Sequence, residues 1–252
     1  MQRFTGKRVL LTGGASGIGQ ATVLRLLAEG AHVVAGDVAE SGLEETADRA
    51  HSDRLTTRVL DISDEIAVGA VVAESVAELG GLDVLVNAAG ILRGAHTHEC
   101  ELETWNRIIG VNLTGTFLVT RAALPALLAT GHGVIVNFSS TSASFAHPYM
   151  AAYSASKGGI QSFTHSIAQE YSKQGLRAVC VTPGSIRSGI TETTVRHLPE
   201  DVDWQLFGKL QPAIGEGFAP PESVAGVIAM LASEDGAFIT GTEIRVDGGT
   251  HQ

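Results

Sequence analysis

Short apolar runs rich in β-branched residues alternate along the chain with longer segments whose apolar positions recur every three or four residues. The first run, residues 9–12, ends in glycines, and residues 18–28 follow it with Ile18, Val23, Leu26 and Leu27 at helical spacing. This order predicts strand, tight turn and helix. The theme recurs: residues 31–36, 57–60, 82–86, 134–138 and 178–181 read as strands with helix-like segments between them, and 243–246 closes the series. Runs with so few polar positions are buried on both faces, so they predict a parallel sheet between two helix layers, an α/β doubly wound fold. Helices are expected over residues 63–79, 101–129 with a break near Gly110, 153–173 and 221–232. Residues 185–220 have no clear period, and a segment of that length in a compact domain is commonly a lid or binding loop, which assigns it to substrate.

The alternation runs through all 252 residues without a linker, so one domain is expected, with a cofactor half to about residue 140 and a catalytic half after it. The formal charge of -10, with no block of Lys or Arg, excludes a nucleic-acid groove and an anionic membrane surface as partners. Only Cys100 and Cys180 are present, far apart in sequence, and they read as free thiols in a reducing compartment. The apolar run after residue 8 is too brief for a signal-peptide core, and no stretch reads as a membrane span, so a cytoplasmic protein is expected.

Gly13, Gly17 and Gly19 are spaced G-x-x-x-G-x-G, with Ser16 and Ile18 inside the pattern. Glycines here let the backbone turn sharply and approach a phosphate, while the helix that follows offers free N–H groups and the positive end of its dipole. Asp37 ends the second strand 18 positions after Gly19, near the offset at which a carboxylate accepts hydrogen bonds from the adenosine ribose. Its charge would repel a 2′-phosphate, and Ala15, Ser16 and Val38 offer no cation against it, so NAD is expected over NADP. Asp61 and Ile62 follow the third strand, and Asn87, Ala88 and Gly90 follow the fourth, both at the carboxyl edge where such sheets bind ligands. Turn chemistry explains Asn87 and Gly90 equally well.

Tyr153 and Lys157 are four residues apart, on one face of a helix, where an ammonium would stabilise a phenolate and bring the phenol toward working pH. An ordinary helix pair has the same spacing. Ser140, 13 residues before Tyr153 at the end of an apolar strand, changes that balance because its hydroxyl can share one substrate oxygen with the phenol. Adjacent Ser139 is the rival. With these residues in order, together with Thr-Gly-x-x-x-Gly-x-Gly at 12–19, Asn-Ala-Ala-Gly at 87–90, Asn112, Tyr-Ser-Ala-Ser-Lys at 153–157 and Pro183-Gly184, the chain resembles the short-chain dehydrogenase/reductase family over essentially its whole length.

The resemblance implies a Rossmann fold with a seven-stranded parallel sheet. It also implies Tyr153 as acid/base, Ser140 orienting the substrate oxygen, Lys157 on the nicotinamide ribose, and Asn112 holding a water that links Lys157 to solvent. By the same carry-over Asp61 and Ile62 flank the adenine and Asn87, Ala88 and Gly90 line the cofactor floor. Pro183, Gly184, Ile186 and Ser188 meet the nicotinamide, with Ser188 where the family usually has threonine. Many members are homotetramers built through the helices that here cover residues 111–129 and 153–173. Ser142, His147 and Tyr149, with Trp204 and Phe207 of the 185–220 segment, are the candidate contacts to an apolar alcohol or ketone substrate. In the stretch 96–100 the alternate residues His96, His98 and Cys100 look like metal ligands on paper, yet without an obvious fourth ligand they read as a polar loop, and no metal is expected. Two other functions fit the same fold: a 3-oxoacyl-thioester reductase, and a non-catalytic dinucleotide sensor that controls a partner.

Overall fold

The computed structural model describes residues 2–189, 197–215 and 217–251. Seven parallel strands form one sheet in the order β3-β2-β1-β4-β5-β6-β7. They are β1 (Arg8–Thr12), β2 (His32–Asp37), β3 (Leu55–Val59), β4 (Val84–Asn87), β5 (Val134–Phe138), β6 (Arg177–Pro183) and β7 (Glu243–Val246). The order reverses between β1 and β4, which opens a crevice at the carboxyl ends of those strands. The sheet and its helix layers are those predicted from the apolar pattern.

Two apolar layers sandwich the sheet. Val9, Leu11, Val33, Val84 and Val136 pack on one side against α1 (Gly17–Ala28) and α7 (Glu222–Ala232). Leu10, Val34, Leu85 and Ile135 pack on the other against α3 (Glu65–Leu79) and α5 (Thr116–Ala129), after period-two alternation of the strand side chains. α2 (Glu40–Ala50), read only as helix-like in sequence, buries little more than Leu43 and Thr46. The helix α6 (Ala151–Glu170) begins two residues before Tyr153, so Tyr153 lies in its first turn and does not open it.

The expected long helix at 101–129 is continuous but changes gauge at the predicted position. α4 (Leu102–Ile109) passes through a π-helical turn, Gly110–Gly115, into α5. The run Leu102–Ala129 is long and apolar enough by length and composition to cross a membrane, in contrast to the expectation that no stretch would be, but it packs on the sheet as a core helix. At the C-terminal end of α1, Glu29 is buried and accepts from Arg3 (Nε 2.6 Å, Nη2 2.7 Å) and from Arg25 (2.5 Å), which ties the chain start to the helix end. The Arg3 guanidinium holds the Glu29 carboxyl down at about 2.

Candidate active site

A cleft of about 420 Å³ runs along the crevice. One end is the turn between β1 and α1. Gly13 has φ +82 and a Cβ there would lie 2.6 Å from the Ala89 backbone nitrogen, and a Cβ on Gly19 would lie 1.9 Å from the Gly13 carbonyl oxygen. Neither position accepts a side chain. Ser16 precedes α1 without a side-chain cap and no acidic residue lies in the first turn, so the helix start brings only N–H groups and positive potential to the cleft. Asp37, at the end of β2, accepts from the Ala15 N–H (3.1 Å) and the Ala39 N–H (3.0 Å), which fixes its carboxylate at the rim.

Gly13, Ser16, Gly17, Ile18, Gly19, Asp37, Asp61, Ile62, Ala88, Gly90, Pro183, Gly184, Ile186 and Ser188 all line the cleft. Asn87 does not, which corrects its expected place on the cofactor floor. It is buried and donates to Asn137 (2.8 Å) and Thr120 (3.0 Å), a polar tie between neighbouring strands and α5. The group expected there, a dinucleotide, fits this end: an uncapped helix start for a pyrophosphate and a fixed carboxylate for ribose hydroxyls.

Ser140, Tyr153 and Lys157 line the other end. β5 delivers Ser140, whose Oγ accepts from the Ser142 N–H (3.2 Å) and lies near enough to the Tyr153 phenol to favour its anion. Lys157 is buried, its Nζ donating to the Phe138 carbonyl (2.8 Å) and lying 5.6 Å from the centre of the Tyr153 ring. The rivalry between the two serines ends in geometry. Ser139 Oγ donates to the Lys157 carbonyl (3.1 Å) and serves the helix, while Ser140 Oγ meets the phenol.

Burial pushes the Tyr153 phenol up to about 12, with nearby Ser140 acting the other way. Burial also brings the Lys157 ammonium down to about 8. The sequence reading relied on Lys157 together with an oxidised nicotinamide to draw the phenol toward working pH, and burial is what the two of them have to offset. A further positive charge in the cleft, such as an oxidised nicotinamide would bring, moves the phenol down.

Asn112 sits in the π-helical turn, buried, and its side chain is fully engaged: Oδ1 accepts from the Ile91 N–H (2.8 Å), and Nδ2 donates to the Ile91 carbonyl (2.9 Å) and Ser156 Oγ (3.0 Å). A Cβ on Gly90 would lie 3.2 Å from Asn112 Oδ1 and 3.5 Å from Lys157 Nζ, so the two side chains flank one small space. The side chain of Asn112 thus braces the loop after β4 against α6.

None of the five candidate substrate residues lines the cleft. Ser142 is buried with no partner for its Oγ. His147 meets Thr141 Oγ1 at 3.2 Å, and burial lowers its imidazole to about 4, which keeps it neutral. Tyr149 has φ +64, and its hydroxyl accepts from the Asp203 N–H (3.0 Å) while its ring stacks near Phe207, itself beside Trp204. These contacts tie the loop before α6 to the 3-10 segment Trp204–Leu210. Part of the 185–220 segment lies outside the described residues. His96 pairs with Asp201 at 2.8 Å, and no group of three metal-ligating side chains exists among the described residues. The sequence reading missed Ser63, Ile91, Arg107 and Val111, which also line the cleft. Arg107 and Val111 are four residues apart, a spacing that puts them on one helix face but gives no sign of the cleft they meet.

The sequence model of the family described as short chain dehydrogenase matches residues 7–198. The chain is 37% identical over 249 residues to a 3-oxoacyl-(acyl-carrier-protein) reductase of Thermotoga maritima, covering 98% of each chain. It is 42% identical over 253 residues to a cis-4-hydroxycyclohexanecarboxylate dehydrogenase of Sinomonas cyclohexanicum, again 98% of each. The carveol dehydrogenase from Mycobacterium avium, solved in complex with NAD, superposes with a TM-score of 0.91 over 99% of each chain at 26% identity. The protein belongs to the short-chain dehydrogenase family and is an oxidoreductase of that fold.

Proposed function

We propose that this protein interconverts a secondary alcohol and a ketone using NAD(H). The observation that carries this reading is that Ser140, Tyr153 and buried Lys157 line one end of a cleft whose other end is the glycine turn. In the oxidative direction Ser140 Oγ and the Tyr153 phenol hold the substrate oxygen, and the phenolate form of Tyr153 takes its proton. Lys157 binds the nicotinamide ribose and favours that phenolate, and Asn112 fixes the turn beside it. Bound NAD supplies the hydride acceptor. Asp37 selects NAD over NADP, because a 2′-phosphate beside a fixed carboxylate is repelled. Relatives named as dehydrogenases of small alcohols support the substrate class.

The protein acts in the cytoplasm as a homotetramer in this reading, in keeping with Trp105 on α4 and Phe117 on α5, both more than a third exposed. A sensor without turnover is disfavoured by the intact Ser140, Tyr153 and Lys157. The full-length similarity to a 3-oxoacyl-(acyl-carrier-protein) reductase keeps a thioester reductase as the second reading. Initial rates with NADH and NADPH on a panel of ketones and on an acetoacetyl thioester separate them. NADH-linked turnover of ketones is expected, and NADPH-linked turnover of the thioester alone would replace the first reading by the second.

A further inference from the structure

The cleft carries a charge imbalance that the glycine turn does not resolve. A dinucleotide brings a pyrophosphate dianion, and Asp37 and Asp61 already line the adenosine side. Among the described residues lining the cleft the cations are Arg107 and Lys157, and Lys157 is spent at the far end against the Phe138 carbonyl. Arg107 projects from the last turn of α4 beside Asp61, close enough for its charge to act on that carboxylate. Its guanidinium makes no hydrogen bond to a described residue and is exposed, so its position is not explained by packing of the helix. Val111, one turn further on, and Ile62 are apolar members of the same lining.

Building on the dinucleotide reading above, we propose that Arg107 is a specificity-determining contact for the adenosine diphosphate half of the cofactor. Its guanidinium offsets the two carboxylates against the pyrophosphate and covers the adenine edge beside Asp61, Ile62 and Val111. A planar cation suits that place, because guanidinium stacks on π faces and sheds water more readily than an ammonium.

The test is calorimetric titration of the whole protein with NADH, ADP-ribose and reduced nicotinamide mononucleotide, in the wild type, Arg107→Ala and Arg107→Lys, with thermal melts as a control for folding. Arg107→Ala is expected to weaken NADH and ADP-ribose by about five- to tenfold, the size of one charge contact near a protein surface, and to leave the mononucleotide unchanged. Arg107→Lys, which keeps the charge, is expected to recover part of the loss. Unchanged NADH affinity in Arg107→Ala overturns the proposal, as does equal weakening of the mononucleotide or a Lys variant no better than Ala. A wild type that binds neither NADH nor ADP-ribose overturns the dinucleotide reading itself, an outcome distinct from a failure confined to the variants.

Discussion

The wall of the cleft around Gly13, Gly17 and Gly19 is almost entirely backbone, set so tightly that added side chains would meet Ala89, Ser188 and Gly13 within 3 Å. The described part of the 204–218 stretch, which lies outside the cleft lining and is expected from sequence to cover substrate, is nearly the reverse. Trp204, Leu206, Ile214 and Phe218 are 57, 51, 75 and 49% exposed, so they cover little of their own chain and are free to be exchanged. A wall of backbone suits a ligand that never changes, since turn geometry and helix N–H groups recognise a phosphate without side-chain choice. A wall of half-exposed apolar side chains suits a ligand that differs from one family member to the next. That contrast explains how a reductase of an acyl carrier and a dehydrogenase of a ring carboxylate share this fold over their whole lengths.

Gly19→Ala attacks the rigid wall most directly. Its Cβ would overlap the Gly13 carbonyl, so NADH affinity is expected to fall more than about a hundredfold and stability by about 1–3 kcal/mol, read by calorimetry and denaturant unfolding. Asp37→Ala combined with Val38→Arg tests the one side chain on which that wall depends. The ratio of NADPH to NADH turnover is expected to rise about tenfold or more, and an unchanged ratio would remove Asp37 from cofactor choice.

The far end of α1 gives a smaller, pH-dependent effect. The Glu29 carboxyl is held at about 2 against an ordinary 4.5, so its contribution is complete above 4.5 and lost as pH falls from there toward 2. Glu29→Gln is expected to lower stability by about 2 kcal/mol at neutral pH, with the gap to wild type closing through that acid window in urea unfolding. If the 204–218 stretch reaches substrate as the sequence expects, Trp204→Ala should change KM for the alcohol by about threefold while leaving kcat, NADH affinity and stability near wild type. A loss of stability instead would make Trp204 a packing residue and erase the contrast between the walls.

The legibility of the site follows the same division. Glycine at 13 and 19 has one physical explanation, so its spacing carried the cofactor end, and Ser140, Tyr153 and Lys157 could be placed because a single reaction joins them. Asn87 could not. Its role depends on Asn137, which lies directly opposite on β5, and strand register is absent from one sequence. Arg107 escaped notice because an exposed arginine on an amphipathic helix is ordinary until Asp61 is seen beside it. The break near Gly110 was readable, but not its π-helical form, which turns Asn112 inward to Ile91 and Ser156. How deeply the phenol is buried, which raises its pKa, was not legible, because burial depth is a property of the packed fold.

The central claim is that the Tyr153 phenol moves the proton of the reaction at a site that binds NAD(H) independently of it. Turnover and calorimetric NADH binding measured side by side in wild type and Tyr153→Phe test it most directly. The account predicts a fall in kcat of at least about a hundredfold with NADH affinity within about twofold of wild type. Turnover in Tyr153→Phe equal to wild type would contradict it.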